Sequence, residues 1–146
     1  MLALHGPNLN LLGHREPHIY GTAGLDAVDA ATRARAEQWG WTYESLQSNH
    51  EGVLIDRLQA CLDDGTGGVL LNPAGLTHTS VSLRDTVAAV IDKVPVVEVH
   101  LSIPEAREPF RHQSYVAGVV SARVSGLGAE SYLVGLEALR CLLTRT

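Results

Sequence analysis

Short apolar runs along this chain alternate with longer stretches in which apolar side chains recur every three or four positions. Leu2–His5 reads as a first strand. Residues 6–24 are polar, with Pro7, Pro17 and several glycines, and form a loop beyond the ~12 residues above which such segments are usually either functional lids or disordered. A helix is predicted over 25–39, with Gly40 placed to end it in the left-handed conformation. A second strand is expected over 41–46. Ser48-Asn49-His50-Glu51 fits the S-x-x-E capping box ahead of Leu54, Ile55, Leu58 and Leu62, which mark one face of a second helix. After a turn at 65–68 comes a buried third strand over 68–72. Thr77, Thr79 or Ser80 caps a third helix whose core face is Leu83, Val87 and Val90. A fourth strand is expected over 94–100 and a fifth within 116–124. A last helix runs from about 129 to 143, with Tyr132, Leu133, Leu136 and Leu143 on one side.

Strands that alternate with helices imply right-handed crossovers and a parallel sheet covered on both faces. Five strands favour the flavodoxin-like doubly wound sandwich over the larger six-stranded form, and 146 residues suit a single domain, 1–146. Ligands of such sheets bind beyond the carboxyl ends of the strands. The loops after His5, Asn72 and His100 lie there, and they are where polar residues collect.

Composition agrees with this architecture. The chain is 45% apolar with one Phe, so its core must come from Val, Leu, Ile and Ala, as covered parallel sheets require. The net charge of −5 and the lack of a Lys/Arg run argue against nucleic acid as a partner. An anionic ligand would need a local basic pocket, which Arg15, Arg107 and Arg111 could supply. Cys61 and Cys141 sit beside leucines at helical positions and are expected to be buried free thiols. The first residues are too short an apolar run for a signal peptide, and nothing approaches the ~18 residues of a membrane span, so a cytoplasmic location is expected.

Two clusters carry chemistry. Glu98 and His100 are two apart on a strand and point to one face, where a carboxylate can hold an imidazole in one tautomer for acid–base work. A solvated strand-end His beside an exposed Glu is the plain alternative. Tyr20 lies five residues after Arg15 in the long loop, and a phenol acting as base needs such a neighbouring positive charge. A loop Tyr packed on the surface is the alternative there. Asn8 and Asn72 follow strands and serve either as turn formers or as amides presented to a ligand. His78 could be a helix-end cap, the backbone N–H groups of Leu101 and Ser102 could take a carboxylate, and Asp85 lies opposite the apolar face of its helix, a solvated or subunit-contact position. The chain has no G-x-G-x-x-G after its first strand, no G-x-x-x-x-G-K-[ST], no G-x-S-x-G and no H-E-x-x-H. Those absences set aside the familiar nucleotide loops, the hydrolase nucleophile elbow and the common zinc motif.

Taken together these segments resemble the type II 3-dehydroquinate dehydratases over nearly the whole chain. The resemblance is carried by Gly6-Pro7-Asn8-Leu9-Asn10-Leu11-Leu12-Gly13 with Arg15-Glu16-Pro17 and Tyr20-Gly21, and by Ser48-Asn49-His50-Glu51-Gly52. It continues through Leu71-Asn72-Pro73-Ala74-Gly75-Leu76-Thr77-His78-Thr79-Ser80 to Leu83-Arg84-Asp85, then Glu98-Val99-His100-Leu101-Ser102, Ala106-Arg107-Glu108, Phe110-Arg111, Ser114-Tyr115 and Gly126-Leu127-Gly128. It implies a hydro-lyase of the shikimate pathway, or of quinate breakdown, that converts 3-dehydroquinate to 3-dehydroshikimate without cofactor or metal. By the same resemblance Tyr20 is the proton acceptor, Arg15 stabilises the developing charge, Asn8 assists the enolate, and His100, oriented by Glu98, is the proton donor. Asn72, His78, Arg111 and the backbone of Leu101 and Ser102 would bind the substrate, with Arg107 beside them and Asp85 reaching a neighbouring subunit's site. The segment 11–21 would be a lid, and the assembly a trimer, commonly four of them in a homododecamer.

The chain departs from the family pattern at His5, often Asn, at Ile103-Pro104-Glu105, at Pro109 and at Val53. A flavodoxin-like module that binds a small anion or nucleotide without catalysis is the competing expectation. It explains the fold and the arginines but not the Tyr/His/Glu set.

Overall fold

The fold is described from a computed structural model, over residues 1–14 and 24–145. Five strands are described: β1 Leu2–His5, β2 Glu44–Gln47, β3 Val69–Asn72, β4 Val96–His100 and β5 Ala122–Ser125. They form one parallel sheet in the order β2-β1-β3-β4-β5, the flavodoxin-like doubly wound order. The order of winding reverses between the parallel neighbours β1 and β3, whose register pairs His5 with Asn72, and a crevice opens there.

The two-residue period of the strands divides the core. Leu2, Leu4, Val69, Leu71 and Val96 face one layer, built from α2 (Glu51–Ala60) and α3 (Val81–Val90) through Leu54, Leu58, Leu83, Val87 and Val90. Ala3, Leu70, Val97 and Val99 face the other, built from α1 (Leu25–Gln38) and α4 (Glu130–Thr144) through Val28, Ala36, Tyr132, Leu136 and Leu139. Each fully buried Leu in these layers contributes about 2 kcal/mol of transfer free energy.

The helix ends follow their end signals unevenly. Gly40 takes φ 74 after α1; its N–H bonds the Glu37 carbonyl at 2.9 Å and the Trp41 N–H bonds that of Ala36 at 3.1 Å. This is a Schellman closure, which a side chain at Gly40 would strain. Ser80 caps α3, its Oγ accepting from the Leu83 N–H at 2.8 Å. The capping box expected at Ser48 does not form. His50 is the cap residue of α2, so Ser48 lies too far upstream, and its Oγ accepts from the His50 N–H at 2.9 Å instead. Glu51 accepts a hydrogen bond from the Ser80 hydroxyl, joining the starts of α2 and α3.

Other boundaries shift for reasons of pairing. β2 starts at Glu44 because its partner β1 starts at Leu2, so Trp41 to Tyr43 have no strand to pair with. β5 is confined to Ala122–Ser125, and the residues before it form turns that bury Val116 in the layer of α2 and α3. On α4 the buried face runs through Tyr132, Gly135, Leu136 and Leu139, whereas Leu143 is 40% exposed in the last turn. Cys61 is a buried thiol as expected, and burial pushes its thiol up, but Cys141 is exposed on the outer side of α4. The polar loop after β1 also buries Leu9 and Leu12, around a 3-10 turn at Leu9–Leu11. Among the described residues no helix is long and apolar enough to cross a membrane.

Candidate active site

A cleft of about 140 Å³ lies over the carboxyl ends of β1, β3 and β4. Pro7, Asn8, Leu9 and Leu12 line it from the loop after β1. Asn72, Ala74, Gly75 and His78 come from the end of β3 and the 3-10 turn after it. His100, Leu101, Ser102, Pro104, Arg107 and Arg111 come from the end of β4 and its loop. Of the residues expected from the sequence, the cleft therefore collects Asn8, Asn72, His78, His100, Leu101, Ser102, Arg107 and Arg111. Glu98 lies beneath His100. Arg15 and Tyr20, with most of the expected lid, lie outside the described residues. Asp85 is not in the cleft: it sits on α3, 62% exposed, and pairs with Arg84 at 2.7 Å.

The floor is built by close backbone approach. The Gly6 N–H bonds the Asn72 carbonyl at 2.8 Å, and a Cβ on Gly6 would lie 2.5 Å from the Pro73 carbonyl oxygen. Only glycine admits that contact. Asn8 follows at φ 68, a left-handed position that Asn tolerates better than most residues. Its N–H donates to Asn49 Oδ1 at 2.9 Å, and Gln47 Nε2 donates to the same oxygen at 3.1 Å. Across the crevice Asn72 Oδ1 accepts from the Ala74 N–H at 3.2 Å, and Ala74 is held at φ 52.

Glu98 is fully buried, and His100 is 7% exposed. His100 Nε2 lies 2.7 Å from Glu98 Oε1. An ionised carboxylate only accepts, so Nε2 carries a proton and Nδ1 is the nitrogen left for proton transfer. The solvated pair that the sequence left open as the plain alternative is excluded by this burial. His78 Nδ1 is 2.7 Å from the Gln113 carbonyl oxygen, so it donates, and Nε2 becomes an acceptor. Arg111 Nε donates to Glu108 at 2.7 Å, and Arg107 approaches the same carboxylate at 3.6 Å. Hydrogen bonds from its own backbone N–H and from Arg111 hold the Glu108 carboxyl below its ordinary value. Phe110, 62% exposed, stands edge-on to His78 and under the Arg111 guanidinium.

Sequence reasoning missed a buried polar chain under the cleft. His5 is fully buried, with Nδ1 2.9 Å from the Tyr132 hydroxyl and Nε2 3.0 Å from Asp29 Oδ1. Asp29 also accepts from the Tyr43 hydroxyl. Burial alone would push the Asp29 carboxyl up, but hydrogen bonds from His5 and Tyr43 outweigh it and hold it below its ordinary value. Burial drives the Tyr132 phenol up, and the nearby Asn72 amide offsets part of the rise. His5 was visible only as a departure from the family pattern, and nothing in the sequence paired it with residues 24 and 127 positions away. Arg123 was also missed, although a single charge inside an apolar run was a signal.

The fold and the cleft define a flavodoxin-like α/β protein whose buried carboxylate–imidazole pair and basic rim suit acid–base chemistry on a small anion. The family model described as Dehydroquinase class II matches residues 1–140, and the chain belongs to that family. It is 52% identical to a 3-dehydroquinate dehydratase of Xanthomonas campestris pv. campestris (strain 8004), over 99% of this chain and 97% of that protein. It is 54% identical to one of Stenotrophomonas maltophilia (strain K279a), over 94% and 92%. The solved type II dehydroquinase from Butyrivibrio crossotus superimposes with a TM-score of 0.92 at 36% identity, covering 95% of both chains.

Proposed function

We propose that this chain dehydrates 3-dehydroquinate to 3-dehydroshikimate through an enolate, as a hydro-lyase. The observation that carries this is the buried Glu98–His100 pair, closed at 2.7 Å, under a cleft that also presents Asn72, His78 and Arg111. Membership of the class II dehydroquinase family supports the same substrate.

In the proposed reaction Tyr20 takes a proton from C2, next to the C3 ketone, and the electron pair passes into the carbonyl as an enolate. Arg15 provides the positive charge that a phenolate base requires. Asn8 helps to hold the charge on the enolate oxygen. The enolate then collapses to form the C1–C2 double bond, and the C1 hydroxyl leaves with a proton from His100 Nδ1 as water. A carboxylate behind the ring stabilises the imidazolium and fixes its tautomer, the usual device of a general acid near neutral pH. Arg111 and the backbone of Leu101 and Ser102 receive the substrate carboxylate, and Asn72 and His78 its hydroxyls. His78 suits that role because its free ring nitrogen accepts. The enzyme works in the cytoplasm as a homotrimer-based assembly, and exposed Asp85 faces a neighbouring subunit there.

The test is the rise in ultraviolet absorbance of the conjugated enone when purified protein meets 3-dehydroquinate, with borohydride and a chelator as separate pretreatments. A rise unaffected by either supports the enolate route. Tyr20→Phe and His100→Ala should each lower kcat by ~10²-fold or more with the fold intact. A variant that keeps the parent rate removes that residue from its role, and no rise with folded protein overturns the proposal.

A further inference from the structure

Behind the Glu98–His100 pair stands a third charge. Arg123 is the parallel-register partner of Glu98 on β5, so the two side chains meet on one face of adjacent strands. Its Nε lies 3.6 Å from Glu98 Oε2, within reach of an ion pair but beyond a hydrogen bond. At its other end Nη1 donates to Glu105 Oε1 at 2.6 Å, and that bond chiefly holds the Glu105 carboxyl below its ordinary value.

We infer that Arg123 is a positioning residue for the dehydration: its guanidinium holds the buried Glu98 carboxylate against His100 and ties it to Glu105 on the loop that walls the cleft. The inference rests on the roles proposed above for Glu98 and His100. Glu98 Oε1 is occupied by His100 and, at 3.5 Å, by the Ser114 hydroxyl. Glu98 Oε2 and Arg123 Nε are both buried without a hydrogen-bond partner among the described residues, and they face each other. A fully buried carboxylate is costly unless a cation compensates it. His100 cannot be the lasting counter-ion, because it is charged only while protonated and gives that proton to the leaving hydroxyl. Arg123 keeps its charge throughout the cycle. Its second carboxylate, Glu105, belongs to the Pro104–Ala106 turn, in which Pro104 lines the cleft and which leads directly into Arg107. One side chain thus contacts both the buried acid and the turn beside the cleft.

A merely structural arginine would change stability, or KM, and leave the chemical step alone. The experiment compares kcat and KM, by the enone assay, for Arg123→Met, Arg123→Lys, Glu98→Gln and the Arg123→Met/Glu98→Gln double variant. Arg123→Met is expected to lower kcat roughly tenfold or more with KM within about twofold, and Arg123→Lys to recover kcat to within about threefold of the parent. The double variant should be no slower than Glu98→Gln alone, because Arg123 acts through Glu98. Parent-like kcat in Arg123→Met beside a slow Glu98→Gln overturns the inference and leaves the acid pair standing. Equal impairment of Met and Lys, or fully multiplicative losses in the double variant, overturns it as well. If Glu98→Gln and His100→Ala also keep parent rates, the acid pair itself fails, and the inference with it. Should Arg123→Met not fold, Arg123→Gln is read against the same thresholds.

Discussion

Tyr132→Phe removes one oxygen from the middle of the molecule and nothing else. The ring stays, so the apolar burial of a fully enclosed side chain is kept and almost no cavity opens. What is lost is the hydroxyl 2.9 Å from His5 Nδ1. The Asp29 carboxylate accepts from His5 Nε2–H, which in a neutral imidazole leaves Nδ1 to accept from the Tyr132 hydroxyl. His5 is 0% exposed, so no solvent replaces that donor. Leaving a buried acceptor unpaired costs ~1–3 kcal/mol, and we take about 2 kcal/mol for this site. For a chain of this size that corresponds to a fall in Tm of about 6 °C. Urea unfolding of parent and variant at one pH, with equal m-values, measures it. Tyr43→Phe is the internal control. It removes a donor from Asp29, which keeps His5 and is 18% exposed, so about 0.5–1 kcal/mol is expected. If Tyr132→Phe costs less than about 0.5 kcal/mol, or no more than Tyr43→Phe, the buried chain is not an energetic unit.

Gly6→Ala sets a Cβ 2.5 Å from the Pro73 carbonyl oxygen, and backbone cannot yield as a side-chain tip can. A loss of at least about 2 kcal/mol is expected, with activity falling alongside, and a parent-like melting curve would refute the contact. Asp29 titrates below its ordinary value of 3.8, so the ionised form favours the fold. That stabilisation is complete above the unfolded value and is lost as pH falls through the lower, folded one. The stability gap between parent and Asp29→Asn should therefore be widest near neutrality and close below pH 3.8, which urea midpoints across pH would show. A gap independent of pH would deny the carboxylate its role.

Much of the candidate site was legible because it sits at strand ends. Asn8, Asn72 and His100 each follow a short apolar run, and the rule that doubly wound sheets bind ligands there brings them together from sequence alone. The Glu98/His100 pairing was legible from the two-residue strand period alone. Their burial was not, since it depends on β5 and the loop at Ser114 closing over them. The capping box misled because a local pattern at Ser48 competes with where the helix starts, and packing of α2 against α3 decided that Glu51 serves Ser80. On α4 periodicity carried the face from Tyr132 to Leu136 but chose Leu143, whereas Leu142, three residues after Leu139, is the one that packs on the layer.

The amino-acid sequence by itself determined the class of fold, the order of its elements and the identity of the groups at the strand ends. Each of these follows from short-range periodicity and from turn chemistry that one segment expresses alone. Only the tertiary structure decided which distant groups share a buried charge. His5 meets Asp29 and Tyr132, and Glu98 meets Arg123, because neighbouring strands and covering helices bring them within 4 Å. Such pairings are set by register and layer packing, which no local pattern encodes. They are enforced by the high cost of leaving a polar group dry and alone.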